Sequence, residues 1–214
     1  MAENVRGPRP RKKQERSGRT RQKLIDATVE VMTERGYAGL TVTEIANRAG
    51  VSNGARVHHF ATKADLVIAA QEHAYDTSIE KSRQAAQDAD HGENVIRAMF
   101  ECLLDLYFEP FFLSFAESTL VGRLDPEFSA RLHPILTHYH RSIEANWTGA
   151  LKNWGCTPGD AQAIYEIALD TVRGMAMTSM WNYDPDLNRR KVARLQELLT
   201  ETYLPARLKK RVAV

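Results

Sequence analysis

Three histidines within eight residues form the part of the sequence that most suggests metal chemistry. His133, His138 and His140 carry imidazole rings, which are the commonest metal ligands in proteins. On a helix, however, His133 and His140 would share one face while His138 would point elsewhere. The sequence also contains no HExxH pair, no CxxC pair and no compact acid–base constellation. We therefore predict no enzyme activity, no catalytic or metal-binding residues and no cofactor, and a metal-dependent helical enzyme is the alternative.

A second set of residues has the types and spacing for binding nucleic acid. Thr41 is followed three residues later by Glu44, and a hydroxyl and a carboxylate at this spacing satisfy free backbone donors at the start of a helix. The pattern predicts a helix over 42–49 whose inward face is apolar. This short helix has the length of the first helix of a helix-turn-helix.

The second helix of that motif is predicted over 53–60. Gly50 allows a turn, and Ser52 can cap the helix that follows it. Two short helices joined through a glycine turn are typical of the helix-turn-helix, in which the second helix enters the major groove of DNA. Phe60 is predicted to belong to the core, whereas His59 either packs against the next helix or touches DNA.

The charge distribution favours the same function. The net charge is only +2, but residues 1–63 hold 13 Lys and Arg against 6 Asp and Glu, and residues 64–214 hold 16 against 21. The first segment therefore has a net charge of +7 and the second of −5. A phosphate backbone attracts the first segment and repels the second, which indicates a nucleic-acid-binding head on a non-binding body.

The elements that must position these residues are all predicted to be helices. Apolar residues recur at spacings of three and four, and no alternating run typical of a strand is found. Proline after Asp125, Thr157 and Asp184 marks three further helix starts. The remaining predicted helices are a first helix ending at Gly36, a long fourth helix from Thr62 to about Ala86, and helices over 93–108, Pro110 to Val121, 126–153, 158–181 and 186–203.

The segment LTVTEIANRAGVSNGARVHHF at residues 40–60, followed by ATKADL, closely resembles the DNA-binding domain of the tetracycline-repressor (TetR) family. The resemblance covers about residues 20–70. It implies an all-α protein with an N-terminal three-helix DNA-binding domain and a larger, variable helical domain for effector binding and dimerisation. It further implies a homodimer on an inverted-repeat operator of double-stranded DNA, which usually represses transcription.

The resemblance also indicates which residues meet DNA. Four residues match positions that hold the phosphate backbone: Thr41, Thr43, His58 and Lys63. Four more match the leading turn of the recognition helix, where base edges come within reach: Ser52, Asn53, Gly54 and Ala55.

Two positions of the recognition helix depart from the commonest family pattern. Arg56 stands where an apolar residue is usual, and Val57 replaces a tyrosine that often contacts phosphate. We predict that Arg56 contacts DNA, either a phosphate or the acceptor pair of guanine. The alternative is that Arg56 lies along the helix surface.

The chain is predicted to have four parts. Residues 1–18 form a basic flexible arm, 19–65 the DNA-binding domain, 66–205 the effector and dimerisation domain, and 206–214 a basic tail. The arm is expected to add nonspecific affinity for DNA, with entry into the minor groove as the alternative.

The body is predicted to bind a small apolar or aromatic effector. Six of the 17 aromatic residues lie between Phe100 and Phe115, where they can form ordinary core or line a pocket. Asp170 and Arg173 could pair with each other, recognise a polar group of the effector, or cross the dimer interface. The predicted pocket residues are Phe100, Leu104, Tyr107, Phe111, Trp147, Asp170 and Arg173.

The last two helices are predicted to form the dimer interface. Val192, Leu195, Leu198, Leu199 and Leu204 make an apolar stripe that a lone terminal helix would expose to water.

The absence of an apolar signal segment and the presence of only two cysteines favour a location in the cytoplasm. The predicted protein is thus a DNA-binding repressor released by a small molecule. Besides the metal-dependent enzyme, the alternative is a DNA-binding regulator without a small-molecule effector.

Overall fold

The computed structural model describes residues 10–89 and 94–203, and every regular element in these ranges is an α-helix. The predicted all-α class is confirmed. None of the helices in these ranges is long and apolar enough to cross a membrane. The helices are α1 (Pro10–Gly39), α2 (Val42–Arg48), α3 (Asn53–His59), α4 (Lys63–Ala89), α5 (Val95–Tyr107), α6 (Pro110–Gly122), α7 (Pro126–Asn153), α8 (Pro158–Thr178) and α9 (Pro185–Tyr203).

The first helix begins earlier than its apolar pattern indicates. Residues 10–18, which we predicted to belong to a flexible arm, form the first turns of α1. Most of them are Arg, Lys, Gln or Glu, which have high helix propensity, and Pro10 suits the first helical position. Residues 1–9 of the predicted arm lie outside the described part of the chain. The helix is interrupted at the predicted residue, because Gly36 adopts φ +67°.

Cap residues set the starts of the three later helices. Asp125, Thr157 and Asp184 each accept a hydrogen bond from a backbone amide two or three residues onward, at 2.9–3.2 Å. Each is followed by proline at the first helical position, where no backbone donor is needed. These three predictions are confirmed.

The helices divide into two compact units, and the first contains the DNA-binding motif. It comprises α1 to α3, α4 as far as Ala74, and residues 114–132 from α6 and α7. Its core is apolar, and the Ser114 hydroxyl donates to the Met32 carbonyl at 2.8 Å. The predicted domain boundaries place 114–132 in the effector domain, whereas the structure packs this segment in the first unit. The sequence shows that this segment is apolar, but an apolar face alone does not identify the helices that will cover it.

The second unit contains the rest of the described helices. It comprises α4 from Tyr75, α5, the start of α6, α7 from His133, α8 and α9. Helix α5 packs against α8, and α9 packs against both. Trp147, Phe100 and Tyr107 are among its largest fully buried side chains. Residues 206–214, the predicted basic tail, lie outside the described residues.

Candidate functional site

Helix α2 begins at the predicted residue, but its cap is only half of the predicted pairing. The Thr41 side chain accepts a hydrogen bond from the Glu44 amide at 3.2 Å. The Glu44 carboxylate does not return to the Thr41 amide; it lies 3.4 Å from the Arg48 guanidinium and 3.3 Å from that of Arg35. Thr41 and Thr43 are both exposed, so their hydroxyls are accessible at the start of α2.

A glycine turn joins α2 to α3. Gly50 has φ +62°, a left-handed conformation that residues with a Cβ rarely adopt. The Gly50 and Val51 amides donate to the Asn47 and Ala46 carbonyls at 3.1 and 2.9 Å, which closes the end of α2. Helix α3 then starts at Ser52, whose hydroxyl accepts from the Ala55 amide at 3.3 Å. The helix-turn-helix prediction therefore matches the local geometry.

The leading turn of α3 is exposed to solvent, carries polar groups and, among the described residues, has no neighbouring protein atoms beside Gly54. Ser52, Asn53 and Gly54 are exposed, and Ala55 is half-buried. A Cβ built on Gly54 would have no atom within 4 Å. Packing within the protein therefore does not require glycine here, whereas close approach of another molecule's backbone would.

Arg56 does not lie on this exposed surface. Its side chain is only 6% exposed, and Nη1 donates to the carbonyls of Phe60 and Ala61 at 3.1 and 3.0 Å. Nη2 donates to Asn53 Oδ1 at 2.7 Å. The guanidinium is thus bound to its own helix and the following turn, because carbonyls at a helix end lack intrahelical partners. Arg56 is thus buried and does not lie along the helix surface, and a contact with DNA would require these hydrogen bonds to break.

Lys63 is also turned inward. Its ammonium donates to the Tyr37 carbonyl at 2.7 Å and lies 4.2 Å from the centre of the Tyr37 ring. Partial burial lowers the pKa of Lys63, and the nearby Glu117 carboxylate opposes that shift. The phosphate contact expected of Lys63 would therefore compete with interactions inside the first unit.

The residues at the C-terminal end of α3 differ in burial. Phe60 is buried, as predicted, with the Arg21 guanidinium 5.3 Å from the centre of its ring. His58 is exposed and its ring lies 5.3 Å from that of the half-buried His59. Val57, which replaces the usual tyrosine, is 49% exposed and adds an apolar contact surface one turn after Asn53.

The structure distributes the predicted effector residues over several places in the second unit. Phe100, Tyr107 and Trp147 are fully or almost fully buried in its core. Phe111 is half-buried, whereas Asp170 is exposed on α8. Asp170 and Arg173 do not form an ion pair in the structure.

Arg173 instead faces buried aromatic residues. Its Nη2 donates to His140 Nε2 at 2.5 Å, and its guanidinium carbon lies 5.4 Å from the centre of the Tyr107 ring. Burial, followed by the charge of Arg173, lowers the pKa of His140 to about 4. Burial also raises the pKa of Tyr139 and Tyr165 in the same region.

A groove of about 1380 Å³ lies elsewhere in the second unit, between α4, α5 and α9. Leu104 is the one predicted effector residue in its wall. The other walls were not predictable from aromatic density, because small and charged residues contribute much of this groove. Residues from all three helices and from the start of α6 line it, among them Lys81, Ala85, Leu104, Phe108, Pro110 and Val192.

The three histidines considered for metal binding do not converge. His133 and His138 are exposed on α7, and His140 points to Arg173. Pro134, which follows His133 directly, lies inside α7. Across residues 10–89 and 94–203, no group of three or more His, Cys, Asp or Glu side chains is placed to hold a metal ion.

Comparison with known proteins agrees with the helix-turn-helix geometry. Residues 24–70 match the family model described as bacterial regulatory proteins, tetR family. The chain is 30% identical over 196 residues to the HTH-type transcriptional regulator CymR of Pseudomonas putida, an alignment that covers 92% of this chain and 97% of CymR. It is 26% identical over 197 residues to the HTH-type transcriptional regulator BetI of Rhizobium meliloti, covering 88% and 89% of the two chains.

Solved structures share the fold. A TetR-family regulator from Mesorhizobium loti superposes with a TM-score of 0.71 at 14% identity, over 88% of this chain and 98% of the other. The multidrug binding protein EbrR complexed with imidazole superposes with a TM-score of 0.55 at 24% identity, over 82% and 93%. Together with the nearly full-length match to CymR, these comparisons extend the likeness beyond the DNA-binding motif. The chain belongs to the tetR family of bacterial regulatory proteins and is a DNA-binding transcriptional regulator.

Proposed function

We propose that this regulator is a cytoplasmic homodimeric repressor that leaves an inverted-repeat operator when a small, largely apolar or aromatic effector binds its second unit. The observation that carries the proposal is the leading turn of α3. Asn53 and Gly54 are exposed there, and the space beside Gly54 is open. A groove-reading helix requires such a surface, because base edges lie deep between the phosphate backbones.

Exposed apolar residues on the last two helices support the dimer. Ile167 on α8 is 38% exposed and Leu198 on α9 is 42% exposed. Gly174 is exposed on the same face of α8 as Ile167, two turns away, and permits close approach of a second helix. A two-fold dimer built on these helices would read an inverted repeat with half-sites about one helical turn apart.

The groove in the second unit supports effector control. The part of α4 around Ala85 forms one wall, and Pro110, the first residue of α6, contributes to another. Both helices continue into the first unit. A ligand that displaced either helix in the groove would therefore act on an element that also belongs to the DNA-binding unit. EbrR, which shares this fold, is described as a multidrug binding protein and was solved with imidazole and with ethidium.

Hydrogen bonds inside the first unit give that displacement a route to the DNA-binding helices. The Glu117 carboxylate on α6 accepts from the Tyr37 amide at 2.9 Å, just after α1 bends at Gly36. A Cβ at Gly36 would lie 2.8 Å from the same carboxylate, so the contact is tight. From α4, the Gln71 side chain donates to the Phe115 carbonyl of α6 at 3.4 Å. Movement of α6 would disturb the end of α1, which packs on α2.

Repression is proposed because occupancy alone can exclude other proteins from the same stretch of DNA. We expect a promoter overlapped by the operator to be less active when the wild-type protein is present. A promoter that becomes more active would instead indicate an activator, which is how the name of one relative, FasR of Mycolicibacterium smegmatis, describes that protein.

Selection of bound fragments from a random DNA library tests the DNA-reading half of the proposal, and it should recover an inverted repeat. The variant Gly54→Ala provides the structural probe. Alanine is favoured over glycine in a helix, so the variant should be as stable as wild type or more stable by up to about 1 kcal/mol. Its affinity for the selected operator should nevertheless fall about tenfold or more, because the added methyl would prevent close approach. Unchanged affinity would contradict the proposed docking of α3.

Effector control is tested by screening small molecules for a rise in melting temperature and for release of the operator. Ala85→Trp should fill the groove and abolish both responses to a compound found in the screen. Gln87→Trp is the matched control, because Gln87 is exposed on the same helix and does not line the groove. If no compound raises the melting temperature and releases DNA, the regulator without an effector replaces this proposal.

A further inference from the structure

The Asn53 side chain is held in one orientation by Arg56, and we propose that Asn53 thereby selects a keto base, guanine or thymine, in the major groove. Arg56 Nη2 donates to Asn53 Oδ1 at 2.7 Å. A guanidinium carries only donors, so the atom that faces it must be the amide oxygen of Asn53 and not the nitrogen. The two N–H donors of the amide are left for another partner.

The orientation is held firmly because Arg56 is anchored at its other end. Its Nη1 donates to the carbonyls of Phe60 and Ala61, and the side chain is buried. Phe60 caps the C-terminal end of α3 and Ala61 follows it, so the guanidinium lies where a cation is also favoured by the helix dipole. Arg56 therefore spans α3 from its last carbonyls back to Asn53 in its first turn.

The exposed end of Asn53 lies at the leading turn that the proposed docking places against base edges. Asn53 is exposed, and in the described part of the chain its amide nitrogen makes no hydrogen bond. Val57 follows one turn later on the same face and is 49% exposed. The face therefore combines a pair of donors with an apolar surface that suits the methyl group of thymine.

An asparagine side chain whose amide has no partner within the protein commonly binds adenine with both polar atoms, accepting from N6 and donating to N7. With Oδ1 engaged by Arg56, Asn53 cannot accept from the amino group of adenine or cytosine. Its N–H donors instead match O6 and N7 of guanine or O4 of thymine. Arg56 is thus a positioning residue, and Asn53 is the residue that determines the base.

The variant Asn53→Ala first identifies the operator position that Asn53 reads, because the base preference at that position should disappear. The test then compares binding to operators that carry each of the four bases at that position. Wild type should favour guanine or thymine on the read strand over adenine or cytosine by about tenfold. Asn53→Asp is nearly isosteric: one carboxylate oxygen keeps the bond to Arg56, and the other becomes an acceptor. The preference should therefore reverse to cytosine or adenine, and comparison of bases within one variant removes any general loss of affinity caused by the new negative charge.

A second variant tests the role of Arg56 directly. Arg56→Leu leaves an apolar side chain at a buried position and frees the Asn53 oxygen, so adenine should become accepted as well as guanine or thymine. A melting curve of the variant shows whether it is folded.

The proposal is wrong if wild type prefers adenine, if Asn53→Ala abolishes no base preference, or if Asn53→Asp keeps the wild-type base preference. An unchanged preference in folded Arg56→Leu overturns the positioning role. The Asn53 variants decide the proposal even if Arg56→Leu does not fold.

Discussion

His140 is held in its neutral form by its surroundings in the second unit. Its ring accepts a hydrogen bond from Arg173, and burial together with the charge of Arg173 lowers its pKa to about 4. In the unfolded chain a histidine has a pKa of about 6.5. Between these two values the unfolded chain binds a proton that the folded protein does not.

The free energy of unfolding should therefore fall as the pH decreases from about 6.5 to about 4, and His140 should contribute no pH dependence above that range. The slope from one such group is at most about 1.4 kcal/mol per pH unit, and it is smaller here because the ring is not fully buried. His140→Gln keeps an acceptor for Arg173 and should flatten this part of the curve in urea unfolding. His138→Gln, at an exposed position on the same helix, should leave the curve unchanged. Identical curves for wild type and His140→Gln would contradict the prediction.

The residues of the recognition turn were predictable from the sequence, but the directions of the two nearby cations were not. Arg56 and Lys63 both turn toward backbone carbonyls, those of Phe60 and Tyr37 among them. These carbonyls become available only when neighbouring helices end at particular points in the folded chain. Residue type therefore indicated a positively charged surface, whereas burial and hydrogen bonding decided which charges remain on it.

At the scale of elements, α2 and α4 begin with the same kind of sequence but not with the same cap. The Thr62 amide donates to Asp65 Oδ2 at 2.8 Å, and the Asp65 amide donates to the Thr62 hydroxyl at 3.1 Å. In α2 the Glu44 carboxylate is drawn to two arginines instead. Asp65 also binds Arg131 through its other oxygen, at 2.8 Å. The Asp65 carboxylate thus caps a helix start, whereas the Glu44 carboxylate forms only partly buried ion pairs.

Removing these two carboxylates should therefore have unequal effects. Asp65→Ala should lower the free energy of unfolding by about 1–2 kcal/mol, because it removes a cap bond together with the Arg131 contact. Glu44→Ala removes partly exposed ion pairs and no cap bond, so it should cost less, about 0.5 kcal/mol. Urea unfolding of the two variants under the same conditions provides the comparison. Equal losses would show that the reciprocal cap of α4 adds nothing.

For the helices after α1, the starts were predicted to within a residue or two where a cap residue or proline marked them, as at Asp125 and Thr157. The beginning of α1 was missed because its residues 10–18 have high helix propensity but no apolar stripe. The end of α8 at Thr178, three residues before the predicted end, carries no comparable signal. Local chemistry thus predicts boundaries, while the partner of a segment such as 114–132 depends on the whole fold.

At the scale of the molecule, the sequence predicted a DNA-binding head and a helical body but not the groove in that body. Phe100, Tyr107 and Trp147 are predicted pocket residues; all three are buried in the second unit, and none of them lines the groove. Large aromatic side chains serve both purposes, and their spacing on a helix does not separate them. The groove depends on the distance between α4, α5 and α9, which no single segment encodes.

Dimerisation is also a property of the whole molecule, and the exposed apolar residues of α8 and α9 predict that these helices form the interface. Ile167→Asp or Leu198→Asp would place a charge in the proposed interface, where it would lose water without gaining a partner. Either variant should shift sedimentation from dimer to monomer. Affinity for the full inverted repeat should fall at least about a hundredfold, because the two half-sites would no longer be bound by one linked pair of recognition helices.

Leu124→Asp is the control: Leu124 is 79% exposed in the first unit, outside α8 and α9, so this variant should remain dimeric. A wild-type monomer, or a dimer that persists in both α8 and α9 variants, would contradict the assignment of the interface to these helices.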